Sequence, residues 1–123
     1  MNNKYKILIV EDDKDIAKGV AEFLRIKGYE TFLAVNGKEG VELAKQIKPN
    51  LILLDIQMPY LNGKEALELL KNDPSTYRIP VIMVTSLSDT EDLKESFKIG
   101  AADYVIKPFL MDRLESKIKD YLK

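Results

Sequence analysis

The chain of 123 residues contains no cysteine and no histidine. The first absence excludes disulfides and thiolate metal centres. The second excludes Ser-His-Asp and Cys-His catalysis, zinc–imidazole sites and a phosphohistidine carried within the chain. Neither sign of charge is in excess: 19 basic and 20 acidic residues leave a formal net charge of −1. That balance carries no electrostatic footprint for direct nucleic-acid binding or for an anionic membrane. Long apolar runs are missing too. The opening "MNNKYK" leads into "ILIV", far short of a signal-peptide core or a membrane span. These absences predict a cytoplasmic protein with no membrane partner.

What is present is ordinary globular usage, 46% hydrophobic and 32% charged, in a length that suits one domain over residues 1–123. Short apolar runs alternate with helical patterns. Strands are predicted at 5–10, 29–35, 51–54, 79–85 and 103–106, where branched and aromatic residues cluster in runs too short for helices. Helices are predicted after each: one carrying Ile16, Ala17, Val20, Phe23 and Leu24 and stopping at Gly28, then 37–48 before Pro49, then 64–72 before Pro74, then 90–100 ending at Gly100. A last helix follows Pro108, with Leu110, Leu114, Ile118, Tyr121 and Leu122 as its apolar stripe. Five such strand–helix units predict an α/β fold with a parallel sheet covered on both faces. In such sheets the ligand crevice lies past the carboxyl ends of the strands.

Those ends are polar. The first strand runs into Glu11-Asp12-Asp13, the third into Asp55, the fourth ends at Thr85-Ser86 and the fifth at Lys107-Pro108. Two carboxylates about 4 Å apart repel by roughly 4 kcal/mol at an effective dielectric near 20. Without a cation, one acid keeps its proton, its pKa raised by the like charges. Carboxylates and backbone oxygens suit Mg²⁺, a hard ion that often bridges to phosphate. A lysine adds fixed positive charge without taking a metal position. Acids, Mg²⁺, a lysine and a hydroxyl together suit phosphoryl transfer, in which positioning and charge neutralisation supply most of the catalysis.

From "ILIVEDD" to the last helix the chain resembles a receiver domain, the phosphoacceptor module of two-component response regulators. The residues that carry the resemblance are the acid pair, Asp55 ahead of Met58-Pro59 and Gly63, and then Thr85, Tyr104 and Lys107-Pro108. The resemblance implies a flavodoxin-like (βα)5 sheet in strand order 2-1-3-4-5. It implies that Asp55 is phosphorylated by a histidine kinase or histidine phosphotransfer protein. Mg²⁺, with Mn²⁺ as the alternative ion, would be held by Glu11, Asp12, Asp55 and the backbone carbonyl of Gln57. Lys107 would contact the phosphoryl group, and the Lys107-Pro108 peptide would be cis. Thr85 and Tyr104 would form the switch pair. Glu11 stands where aspartate is more frequent in the family, and Ser86 where alanine is. Gln57 and Leu87, each two places past a key residue, occupy positions that tune dephosphorylation.

Two other readings of the architecture are weaker. An aspartyl-nucleophile phosphatase of the haloacid dehalogenase class would carry a second aspartate where Gln57 stands. A nucleotide or flavin module would need a glycine-rich first turn, and here that turn reads "EDDKD". The expected function is therefore a signalling switch rather than an enzyme, beyond self-phosphorylation and slow autodephosphorylation. Its expected output face comprises Leu93, Phe97, Tyr104, Leu110, Arg113 and Leu114, around the weakly amphipathic helix at 90–100. The chain is expected to be a stand-alone receiver or one cut from a longer regulator, acting on a downstream protein or a missing output domain. It is expected to be a monomer that could dimerise on phosphorylation.

Overall fold

A computed structural model describes residues 4–122, and every side chain among them except that of Leu87. Leu87, expected to occupy a position that tunes dephosphorylation, thus has its side chain outside the described residues. Five strands are present: β1 (Lys6–Val10), β2 (Glu30–Ala34), β3 (Leu51–Asp55), β4 (Val81–Thr85) and β5 (Asp103–Ile106). All pairings are parallel and the strand order is β2-β1-β3-β4-β5, the flavodoxin-like order that the family resemblance implies. β3 and β4 are buried along their whole length. That matches their unbroken apolar runs, since a strand covered on both faces needs no polar alternation.

The helices are α1 (Lys14–Ile26), α2 (Gly37–Ile47), α3 (Gly63–Lys71), α4 (Thr90–Ile99) and α5 (Met111–Tyr121). Strand side chains alternate between faces, and the core divides accordingly. Ile7, Ile9, Leu51, Leu53, Ile82 and Val84 pack with Val20 and Leu24 of α1 and with Leu114 and Ile118 of α5. Leu8, Val10, Ile52, Leu54 and Met83 pack with Ala44 of α2 and with Leu67 and Leu70 of α3. Fully burying each such aliphatic side chain is worth about 1.5–3 kcal/mol. Among the described residues no helix is long and apolar enough to cross a membrane.

Local chemistry sets the helix starts. Asp13 accepts hydrogen bonds from the backbone N–H groups of Asp15 and Ile16, at 3.0 and 3.2 Å, and so caps α1. Asn36 caps α2 in the same way, and Asn62 with Glu65 forms a reciprocal capping box on α3. Several element boundaries differ from the sequence-based expectation by a residue or two. Asp55 belongs to β3. β4 starts only at Val81, after Pro80, which has no N–H to donate. A short 3₁₀ turn, Leu87–Asp89, precedes α4.

α5 corrects two further expectations. Its first helical residue is Met111, so Leu110 sits at the N-cap and is 75% exposed rather than joining the apolar stripe. Leu114, expected on the output face, is fully buried in the core against α1 and the sheet. Its helical phase turns it inward, one turn before Ile118.

Candidate functional site

The site is assembled at the carboxyl ends of β1, β3, β4 and β5. β1 stops at Val10, and the ladder runs one bond further, from Glu11 N–H to the Ala34 carbonyl at 3.0 Å. That bond fixes Glu11, only 4% exposed, at the rim, with exposed Asp12 beside it. Asp55 closes β3 and is 5% exposed. One oxygen from each of Glu11, Asp12 and Asp55 lies within 4.8 Å of the others. A cluster of three carboxylate donors is the hard, anionic oxygen set that fits a divalent cation of the Mg²⁺ type.

Lys107 follows β5, tied to β4 by a 2.7 Å hydrogen bond from its N–H to the Thr85 carbonyl. Its ammonium lies 2.8 Å from Glu11 Oε1 and 3.0 Å from Asp55 Oδ2. The Lys107–Pro108 peptide is cis. Burial works against the ammonium, yet the two carboxylates outweigh it and raise its pKa above the ordinary lysine value. Burial, together with hydrogen bonding and repulsion from Asp55, pushes the Glu11 carboxyl above its ordinary range despite Lys107. Burial and then Glu11 push Asp12 the same way. Crowded acids that resist ionisation together are what a cation would relieve.

The rim continues on either side of Asp55. The Gln57 N–H donates to Asp55 Oδ1 at 3.2 Å, so the Gln57 peptide lies against the carboxylate. Gly63 N–H donates to the Ile56 carbonyl at 2.9 Å, folding the start of α3 down onto the same segment. Thr85, 2% exposed, donates its hydroxyl to the Ser86 carbonyl at 3.1 Å. Tyr104 is half-buried on the neighbouring strand, edge-on to Phe97 with ring centroids 6.0 Å apart and with Lys117 Nζ 4.6 Å from its own centroid. Thr85 pairs with Ile106, which places Thr85 and Tyr104 on one face of the sheet, two positions apart along β5.

Of the expected output residues, Phe97 (42%), Leu110 (75%) and Arg113 are exposed and Leu93 is half-buried. Sequence reasoning missed the polar network beside the site. Gln57 Nε2 donates to Asp89 Oδ1 at 2.9 Å and approaches Asp92 Oδ2 at 3.5 Å. Lys64 Nζ then pairs with Asp92 at 2.9 Å and Glu95 at 2.7 Å. Burial works against the Asp89 carboxylate, but hydrogen bonds from Ser86, Gln57 and Thr85 hold its pKa below the ordinary range. The signal available in the sequence was the Ser86-x-x-Asp89 spacing ahead of a helix, a capping pattern.

Comparisons with known proteins agree with this geometry. The response regulator receiver domain model matches residues 7–119. The transcriptional regulatory protein CrdR of Helicobacter pylori is 45% identical over 116 residues, covering 94% of this chain and 54% of that protein. The chain spans about half the length of several such curated relatives. Among solved structures, a response regulator from Chloroflexus aurantiacus superposes with a TM-score of 0.92 at 29% identity, covering 98% of each chain. The receiver domain of a sensor histidine kinase from Pseudomonas aeruginosa, with a magnesium ion coordinated in its active-site cleft, gives 0.89 at 27% identity, covering 97% of this chain and 98% of that one. With its strand order, its acid cluster and the match over residues 7–119, this chain belongs to the response regulator receiver domain family.

Proposed function

We propose that the chain is a single receiver domain acting as a phosphoacceptor switch, and that Asp55 takes a phosphoryl group from the histidine of a kinase or phosphotransfer protein. A carboxylate oxygen of Asp55 forms the new bond to phosphorus, the phosphorus–nitrogen bond breaks, and the imidazole leaves. The observation that carries this reading is the bridge from Lys107 to Asp55 and Glu11, inside a group of three carboxylates.

Glu11, Asp12, Asp55 and the Gln57 carbonyl would hold Mg²⁺, or Mn²⁺ in its place. The ion supplies charge neutralisation between the acids and the incoming phosphate. Lys107 exchanges one of its carboxylates for a phosphoryl oxygen. Thr85 turns its hydroxyl toward the same group, and Tyr104 follows from the adjoining strand. Phosphate must bond better in one arrangement than in the other for any shift to occur. The surface formed by Leu93, Phe97, Tyr104, Leu110 and Arg113 then engages a downstream protein or an output domain in the cytoplasm, with Leu114 supporting it from beneath. Relatives twice as long that are named transcriptional regulators favour a covalent output partner.

Incubation with acetyl phosphate and Mg²⁺ should add one phosphoryl group by intact mass. Asp55→Asn should add none. Equal labelling of that variant would sink the assignment.

A further inference from the structure

Gln57 begins two residues past the acceptor, with its backbone N–H on Asp55, yet its side chain points away across the rim. Among the described residues its amide nitrogen contacts two carboxylates, Asp89 at 2.9 Å and Asp92 at 3.5 Å. Neither acid is free to follow it. Asp89 is 8% exposed, and its other oxygen accepts from Ser86 N–H at 3.3 Å and from Ser86 Oγ at 2.9 Å. Asp92 is held by Lys64 at 2.9 Å. A neutral amide is thus moored to a fixed, buried anion on the segment that opens α4, 32 residues away.

A glutamine beside a phosphoryl group has an obvious alternative use, since its amide can orient the attacking water, as in small GTPases. To do so here it must first give up its bond to Asp89. We propose that Asp89 is a positioning residue: by mooring the Gln57 amide at the start of α4 it keeps that amide from orienting water on phosphorylated Asp55, and so prolongs the phosphorylated state. The proposal depends on the phosphoacceptor reading of Asp55. The step it restrains is ordinary hydrolysis. Water oxygen bonds to phosphorus, the bond from phosphorus to the Asp55 oxygen breaks, Asp55 is restored as a carboxylate, and the water's proton leaves with inorganic phosphate.

The test loads the full chain with acetyl phosphate and Mg²⁺, removes the donor by rapid desalting, and follows loss of the phosphoryl group by intact mass. Removing one hydrogen bond that opposes the reactive pose should speed decay about fivefold in Asp89→Ala. Asp89→Asn keeps one acceptor oxygen, for which Gln57 competes with the Ser86 donors, and should decay at a rate between those of wild type and Asp89→Ala. In a Gln57→Ala background, Asp89→Ala should change nothing. Unchanged or slower decay in Asp89→Ala overturns the proposal, and so does the same acceleration without Gln57. Wild-type protein that never labels refutes the phosphoacceptor reading and this proposal with it. Normal labelling with unaltered decay refutes the proposal alone. Should Asp89→Ala fail to fold, the Gln57 side-chain amide protons of the wild-type protein decide by NMR: protected protons support the mooring, and rapid solvent exchange overturns it.

Discussion

The Lys107 ammonium lies 3.0 Å from the Asp55 carboxylate, a contact between residues 52 positions apart that joins the ends of β5 and β3. The same nitrogen lies 2.8 Å from Glu11, so one cation offsets two acids that are almost entirely shielded from water.

Removing that cation should expose the repulsion. Lys107→Met leaves Glu11 and Asp55 without their charged donor, and should destabilise the fold by about 1.5–3 kcal/mol, the usual range for hydrogen bonds to charged groups. Mg²⁺ should raise the melting temperature of the wild-type protein through linkage, and raise that of Lys107→Met by more. Thermal melts in saturating Mg²⁺ and in EDTA check both statements. Melting temperatures unmoved by the ion would count against a metal site.

Gly63 should not tolerate a side chain. A Cβ there would strike the Asp55 carbonyl oxygen and lie 2.7 Å from the Ile56 Cα, and backbone cannot swing aside as a flexible side chain can. Gly63→Ala should cost about 1–3 kcal/mol, as overpacking does. Because the displaced segment carries Asp55, acetyl phosphate labelling should slow as well. Stability and labelling rate, measured on one preparation, test the coupling.

Tyr60 should respond in the opposite direction. It adopts φ 66°, and its side chain is 94% exposed. A left-handed conformation costs a non-glycine residue about 1–2 kcal/mol, whereas a glycine's extra unfolded entropy costs about 0.5–1 kcal/mol. Tyr60→Gly should therefore stabilise the protein by about 0.5 kcal/mol, read as a higher urea midpoint at unchanged slope. A lower midpoint would mean that the ring contributes more than its exposure suggests.

Asp103 supplies a pH dependence remote from the site. Burial works upward on its carboxyl, but Lys117 at 2.9 Å, the Tyr104 N–H at 2.8 Å and the Tyr121 hydroxyl at 3.3 Å outweigh it. Its pKa is accordingly held below the ordinary aspartate value. A depressed folded-state pKa contributes stability above the unfolded value, and that stability is lost as pH falls through the folded one. The stability gap between wild type and Asp103→Asn should be widest near neutrality and close in acid. Urea midpoints from pH 7 to pH 3 would follow it, and a gap that widens in acid would reverse the sign.

Much of this molecule is local and was legible as such. "LILL" and "VIMV" are apolar without interruption because both faces of a central parallel strand are covered, and the chain turns away after α1 at Gly28, whose φ of 101° suits glycine. Acids and a lysine placed just past such runs must meet at one rim, since parallel strands share their carboxyl edge. The residues of the candidate site could therefore be named before any contact was known. Periodicity served less well on α5. It placed Leu114 and Ile118 correctly in the buried stripe, but it also placed Leu110 there, which is exposed because the helix begins only at Met111. The expected output face in turn counted Leu114, which is buried.

The amino-acid order by itself determined the five strand–helix units and which polar side chains reach the rim, because burial runs, helical spacing and turn residues act over a few positions. Only the tertiary structure decided that Lys107 would bond Glu11 and Asp55 together, that Tyr104 would sit between Phe97 and Lys117, and that the Gln57 amide would turn from Asp55 to Asp89. Such contacts depend on strand register, on helix phase and on the side-chain rotamers that packing allows. None of these is written in hydrophobic pattern alone.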